Sequence, residues 1–161
     1  MASNSKMLVL RSYEGDEFNV EESLASAGSG TLKTMVDEGI VEGGIPLPNV
    51  STKSLGKIIE YWRHHAQEDS DGSPESKAAM KEWDDEFLKL DGNKKELLNL
   101  VMAANYLDAK PLFEALCEEV RNTIKVMSVE EVRSYLNIEN DFTPEEEEKI
   151  RAENAWAFEN N

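Results

Sequence analysis

The residues with the most obvious chemical potential are two adjacent histidines and a short run of aspartates. His64 and His65 are neighbours, so on a helix their side chains point about 100° apart and do not face one metal ion together. Asp69, Asp71 and Gly72 resemble the start of a calcium loop. However, no frame supplies both the central glycine and the closing glutamate that such a loop requires. The pattern predicts no metal and no cofactor.

Catalysis would require a nucleophile, a base and an orienting group. Cys117 is the only cysteine, and it lies within an apolar helical stripe, so we expect a buried thiol that serves as a small hydrophobe. A thiol-dependent hydrolase would need this residue to react readily with an alkylating probe. Residues 28–30, Gly-Ser-Gly, lack the preceding strand and the spacing of a phosphate-binding loop. The sequence therefore predicts a protein that is not an enzyme.

The net charge of the chain limits which classes of partner it can bind. Its 161 residues carry a net charge of −16, of which −13 falls on residues 67–161. Nucleic-acid binding is disfavoured because phosphate backbones require a basic surface. Neither a membrane-spanning apolar run nor a signal core is found, so we expect a protein of the nucleus and cytoplasm. The acidity leaves open an acidic chaperone or sequestering protein for basic partners.

The chain opens with strand patterns. Residues 7–10 and 18–20 read as two short strands joined by a turn at Gly15, which predicts an N-terminal hairpin. Pro46 and Pro48 lack an N–H group, so the extended piece that contains them is expected to lie at a sheet edge or to donate no ladder bonds at those positions.

Helical patterns follow. Ser51 is a predicted N-cap for a helix that runs to about residue 66. Residues 67–79 contain no large apolar residue and are predicted to form a mobile acidic loop. A short helix is predicted at residues 80–90. Residues 96–107 are apolar on nearly every side, which indicates a helix at the centre of a bundle, and Asp108 is a candidate cap for the next helix.

The C-terminal segment has the strongest local signals. Ser128 opens one capping box, and Thr143, Pro144 and Glu146 open a second that starts a tail helix predicted to reach residue 158. That tail offers few large apolar groups, too few to bury a helix on its own. We therefore expect its aromatic end, at Trp156, to be completed by a partner.

Four motifs resemble the Skp family, the adaptors of SCF-type (Skp, cullin, F-box) ubiquitin ligases. They are IPLPNV at residues 45–50, WDDEFLK at 83–89, AANYLD at 103–108 and the tail LNIENDFTPEEEE at 136–148. They occur in the family's order and span nearly the whole chain.

The resemblance implies an α+β fold with two parts. Residues 1–124 would form a POZ/BTB-like core with a small N-terminal sheet and the loop 67–79 inserted. Residues 125–161 would form a helical extension that completes an F-box-binding surface shared with the helix at 108–124. The implied partners are a cullin and F-box proteins, which a non-enzymatic adaptor would bridge.

The resemblance also assigns residues to each partner. The implied cullin contacts are Asn105 and Tyr106. The implied F-box contacts are apolar positions on the last helices: Leu112, Leu116, Val120, Ile124, Ile138, Phe142, Ile150 and Trp156.

Some positions depart from the family pattern, chiefly Val126, Met127 and Leu136, which lie on the F-box side. An elongin C-like POZ adaptor is the second alternative, although such chains lack the long tail that ends at Trp156.

Overall fold

The computed structural model describes residues 5–67 and 72–157. The strands are β1 (Met7–Arg11), β2 (Glu17–Glu21) and β3 (Ile45–Pro46). The helices are α1 (Glu22–Gly28), α2 (Gly30–Asp37), α3 (Thr52–Gln67), α4 (Pro74–Lys89), α5 (Lys94–Tyr106), α6 (Lys110–Ile124), α7 (Val129–Leu136) and α8 (Pro144–Glu153). The chain divides into two compact units, one up to Thr123 and one from Ile124. The predicted α+β class is confirmed.

The three strands form one sheet in the order β2-β1-β3. β1 pairs antiparallel with β2, with Leu8 opposite Val20, and parallel with β3, with Leu10 opposite Ile45. The predicted hairpin is therefore present, and Gly15 supplies its turn with φ +94°. β3 lies at a sheet edge, where Pro46 within the strand is tolerated because proline has no N–H to donate.

The core of the first unit lies between this sheet and the helices. Alternate residues of β1 turn inward, so Leu8 and Leu10 are buried while Met7 is half exposed. The fully buried large side chains are Leu8, Leu10, Val20, Leu32, Ile45, Leu47, Leu55, Ile58, Leu100, Leu107, Leu112 and Leu116. One continuous apolar cluster thus joins the sheet to α2, α3, α5 and α6.

α4 packs against the end of α3 through rings. His64 stacks on Trp83 with centroids 3.7 Å apart, and Trp83 in turn stacks on Phe87 at 5.0 Å. His65 Nε2 lies 2.7 Å from an Asp84 carboxylate oxygen. The two histidines therefore do not face one metal, and they bind the two helices together. Burial, with a smaller effect of the Asp84 carboxylate, raises the pKa of the neighbouring Tyr61 to about 12.

Two predicted boundaries are wrong. α4 begins at Pro74, so residues 74–79 of the predicted loop are helical, and residues 68–71 lie outside the described part. The start was missed because residues 73–79 contain no large apolar residue, although a cap is present. The Ser73 hydroxyl accepts from the Ser76 N–H at 3.1 Å, and Pro74 is the first helical residue. The tail helix α8 ends at Glu153, not at residue 158.

Asp108 is also not the cap of α6. It adopts a left-handed conformation with φ +49°, and α6 begins two residues later. Its backbone N–H donates back to the Asn105 carbonyl at 3.1 Å, which closes the end of α5. The residue therefore terminates the preceding helix.

The N-terminus of α3 is capped from the hairpin turn. A Glu14 carboxylate oxygen accepts the Thr52 backbone N–H at 2.7 Å, and this bond is the main cause that lowers the pKa of Glu14. The contact contributes stability above the ordinary pKa of a glutamate, and that contribution is lost as pH falls through the lowered value. We expect the Thr52 amide proton, followed by NMR, to titrate below the range of an ordinary glutamate. Glu14→Gln should remove this titration, and an unchanged titration in that variant would contradict the assignment.

α1 approaches α3 so closely that there is no space for a side chain at Gly28. A Cβ at this position would fall on the indole of Trp62, which is only 5% exposed. We expect Gly28→Ala to lower the free energy of unfolding by about 1–3 kcal/mol through overpacking. Gly56→Ala is the matched control, because its Cβ would meet only Phe18 at 3.9 Å. That helical substitution should raise stability by up to about 1 kcal/mol. Urea unfolding of both variants tests the contrast, which would fail if they shifted alike.

The second unit contains α7 and α8, and each begins with a complete capping box. The hydroxyls of Ser128 and Thr143 accept from the N–H groups three residues on, at 3.2 Å each. The Glu131 and Glu146 carboxylates in turn accept hydrogen bonds from the backbone N–H groups of Ser128 and Thr143. Both predicted boxes are therefore confirmed.

Candidate partner-binding surfaces

The end of α5 brings a polar amide and a phenol to the surface of the first unit. Asn105 is exposed, and Tyr106 is half buried and packs against the core. The next residue, Leu107, is fully buried and anchors the end of the helix. Tyr106 thus has a ring supported from beneath by apolar side chains, with Asn105 beside it in solvent. Such a pair can offer hydrogen bonds and apolar area to a partner.

α5 is not buried all round, contrary to the sequence prediction. Met102 is 66% exposed, and with Asn99 it lines a shallow depression that also includes Tyr13 and Pro48. The buried face is carried instead by residues at helical spacing: Leu97, Leu100, Ala103, Ala104 and Leu107. Sequence reasoning therefore missed Met102 as a surface residue. The polar residues Asn99 and Asn105, three positions to either side of Met102, were the available signal.

The predicted F-box positions on α6 differ in how deeply their side chains are buried. Leu112 and Leu116 are buried in the core of the first unit, so their side chains pack within this chain. Val120 is half buried against the same core, and Ile124 is half buried. A part in partner binding stays a prediction for these four residues.

Cys117 is exposed, so the expectation of a buried thiol is wrong. It follows Leu116 by one residue, which places it about 100° round the helix from the buried line of Leu112 and Leu116. The apolar stripe of α6 is narrower than its composition suggested.

The second unit displays its apolar side chains. From Ile124 to Ala157 no residue is buried. The predicted positions Ile138, Phe142 and Ile150 are 53%, 47% and 38% exposed, and Trp156 is 73% exposed. Val126, one of the departures from the family pattern, is 81% exposed. These residues lie on α8 and on the segments that flank α7 and α8.

Ion pairs hold α7 and α8 together in place of a core. Arg151 lies 2.8 Å from the Glu130 carboxylate and 3.3 Å from that of Glu147, and Arg133 reaches the same Glu147 oxygen at 3.5 Å. The pKa of Glu147 is lowered, chiefly by the hydrogen bond from the Asn140 amide. The Asn154 amide donates to the Ile150 carbonyl at 2.9 Å and closes α8, and Trp156 follows in a single 3₁₀ turn.

Other kinds of site are poorly supported in residues 5–67 and 72–157. No three histidine, cysteine or acidic side chains there are grouped so as to hold a metal ion. Within the same residues, no helix has the length and apolarity to cross a bilayer.

Comparisons with known proteins give a consistent result. The model of the Skp1 family tetramerisation domain matches residues 6–67, and that of the family's dimerisation domain matches residues 110–157. SKP1-like protein 1A of Arabidopsis thaliana is 44% identical over 162 residues, which cover 97% of this chain and 99% of that protein. SKP1-like protein 12 of the same plant is 46% identical over 157 residues, with the same coverage. SKP1-like protein 1 of Oryza sativa subsp. japonica is 43% identical over 169 residues, 96% of each chain.

Proposed function

The chain belongs to the Skp1 family, and from this premise we propose that it bridges a cullin to F-box proteins within an SCF-type ubiquitin ligase. Family membership supports the adaptor role, with a POZ domain in the first unit. Under this proposal the chain is not an enzyme. It holds a substrate receptor near the ubiquitin-conjugating machinery, and that proximity raises the effective concentration of the substrate.

One observation carries the F-box part of the proposal. The second unit has no buried residue between Ile124 and Ala157, yet it presents large apolar side chains, including Trp156 at 73% exposure. Exposed apolar groups of this kind are typical of protein interaction sites, and a Trp surrounded by smaller apolar groups is a typical anchor residue. The matched dimerisation domain covers the same segment. F-box proteins are the proposed occupants.

The cullin part rests on Asn105 and Tyr106. Tyr106 packs against the core, which holds its ring in place. Asn105 is exposed and is therefore accessible to a partner. A rigid aromatic group beside a hydrogen-bonding amide loses little entropy on binding. The exposed face of α5 continues this surface through Met102.

Affinity purification from cells followed by mass spectrometry tests the whole proposal. It should recover a cullin together with several F-box proteins. The acidic-chaperone alternative predicts basic partners whose binding falls steeply with salt, because charge pairs are screened. Burial of apolar side chains predicts retention of the F-box proteins at about 0.5 M salt. An elongin C-like adaptor would instead recover a different class of receptor and no F-box protein.

We propose that this adaptor works in the nucleus and cytoplasm, the location expected from the sequence. A fluorescent fusion of the full chain should be seen in both compartments.

A further inference from the structure

The end of α5 is closed by another helix. The last carbonyls of an α-helix have no partner within it. Here the Thr31 hydroxyl donates to the Tyr106 carbonyl at 3.1 Å, and the Thr31 backbone N–H donates to the Leu107 carbonyl at 3.3 Å. The Gly30 N–H donates to the Asp108 carbonyl at 3.1 Å. Donors at the start of α2 thus satisfy the last carbonyl of α5 and the two carbonyls that follow it.

The residues just before and at the start of α2 fit this role closely. Ser29 is fully buried, and its hydroxyl donates to the Leu107 carbonyl while it accepts the Leu32 N–H at 3.1 Å. Gly30 lies against Asp108, because an added Cβ would meet the carboxylate end of that side chain. These contacts fix the start of α2 against the end of α5, across more than 70 residues of sequence.

We propose that residues 29–31 are a brace that positions Asn105 and Tyr106 for the cullin. This inference rests on the proposed function. Helix ends fray, and both side chains lie in the last turn of α5. A frayed turn would move the amide and the phenol relative to each other, and binding would then carry the cost of ordering them. The hydrogen bond from the Thr31 hydroxyl to the Tyr106 carbonyl opposes this motion at Tyr106, which is one of the two proposed cullin contacts.

Three substitutions on α2 test the brace in the full-length chain. Thr31→Val removes the hydroxyl that reaches α5, and Thr31→Ser keeps it. Thr34→Val is the matched control, because the Thr34 hydroxyl donates within α2, to the Gly30 carbonyl at 3.0 Å. We expect Thr31→Val to weaken binding to a purified cullin amino-terminal domain about tenfold, which corresponds to roughly 1.4 kcal/mol. Thr31→Ser and Thr34→Val should stay within about twofold of the wild type.

Further measurements separate positioning from general stability. Thermal unfolding should show Thr31→Val and Thr34→Val folded alike, and the amide shifts of Tyr106 and Leu107 should move only in Thr31→Val. Thr31→Ala repeats the test without a branched side chain should the valine variant not fold. Wild-type cullin binding by folded Thr31→Val or Thr31→Ala, or equal weakening by Thr34→Val, would overturn the brace. The proposed function fails separately, if the wild-type chain does not bind the cullin domain.

Discussion

We expect the replacement of both Asn105 and Tyr106 with lysine to abolish cullin binding, while binding to an F-box protein is retained. The change places two charges on a surface where an exposed amide and a core-supported ring are proposed to be desolvated by the partner. Unpaired charges at such a contact cost about 2–5 kcal/mol, which weakens binding roughly 30-fold or more. Titration calorimetry with a cullin amino-terminal domain measures the loss. Pull-down of an F-box protein by the same variant shows that the chain is folded.

A matched control separates the position of the charges from their number. Asn19→Lys with Ile40→Lys adds the same two charges to exposed positions of the first unit outside α5. This variant should bind cullin as the wild type does. If the control lost binding equally, a general effect of charge would replace the specific surface. Wild-type affinity in the Asn105 and Tyr106 variant would show that the cullin docks elsewhere.

Truncating Trp156 to alanine should weaken F-box binding by about 2 kcal/mol or more. The indole is 73% exposed in the free chain, so a partner that covers it removes a large apolar area from water. Ile40→Ala is the control, because Ile40 is a similarly exposed apolar residue of the first unit. It should leave the affinity unchanged. A Trp156→Ala variant that binds as tightly as the control would remove this residue as the anchor.

Hydrogen exchange tests the same surface without mutation. α8 has no buried residue and rests on caps and ion pairs at the surface, which contribute little each. Amides of residues 147–157 should therefore exchange rapidly in the free chain and slowly in the F-box complex. Strong protection in the free chain would mean that the tail is held without a partner.

Local signals in the sequence were sufficient for much of the fold. The two capping boxes, at Ser128 and Thr143, were predicted and are present, because a cap needs only residues within three positions of each other. The hairpin around Gly15 follows from a turn and two short alternating segments. The motifs in residues 45–50, 83–89, 103–108 and 136–148 were enough to identify the family, as the relatives confirm.

Only the tertiary structure decided which face of each helix is covered. Helical spacing shows that apolar residues share a side, but the width of the buried stripe depends on neighbours that are distant in sequence. Met102 and Cys117 were therefore assigned to the interior, and both are exposed. The contact of Thr31 with Tyr106 was not predicted for the same reason, because a hydrogen bond between residues 75 positions apart produces no periodic pattern in either segment. The sequence determined the elements and the family, and long-range packing determined the surfaces that are left for partners.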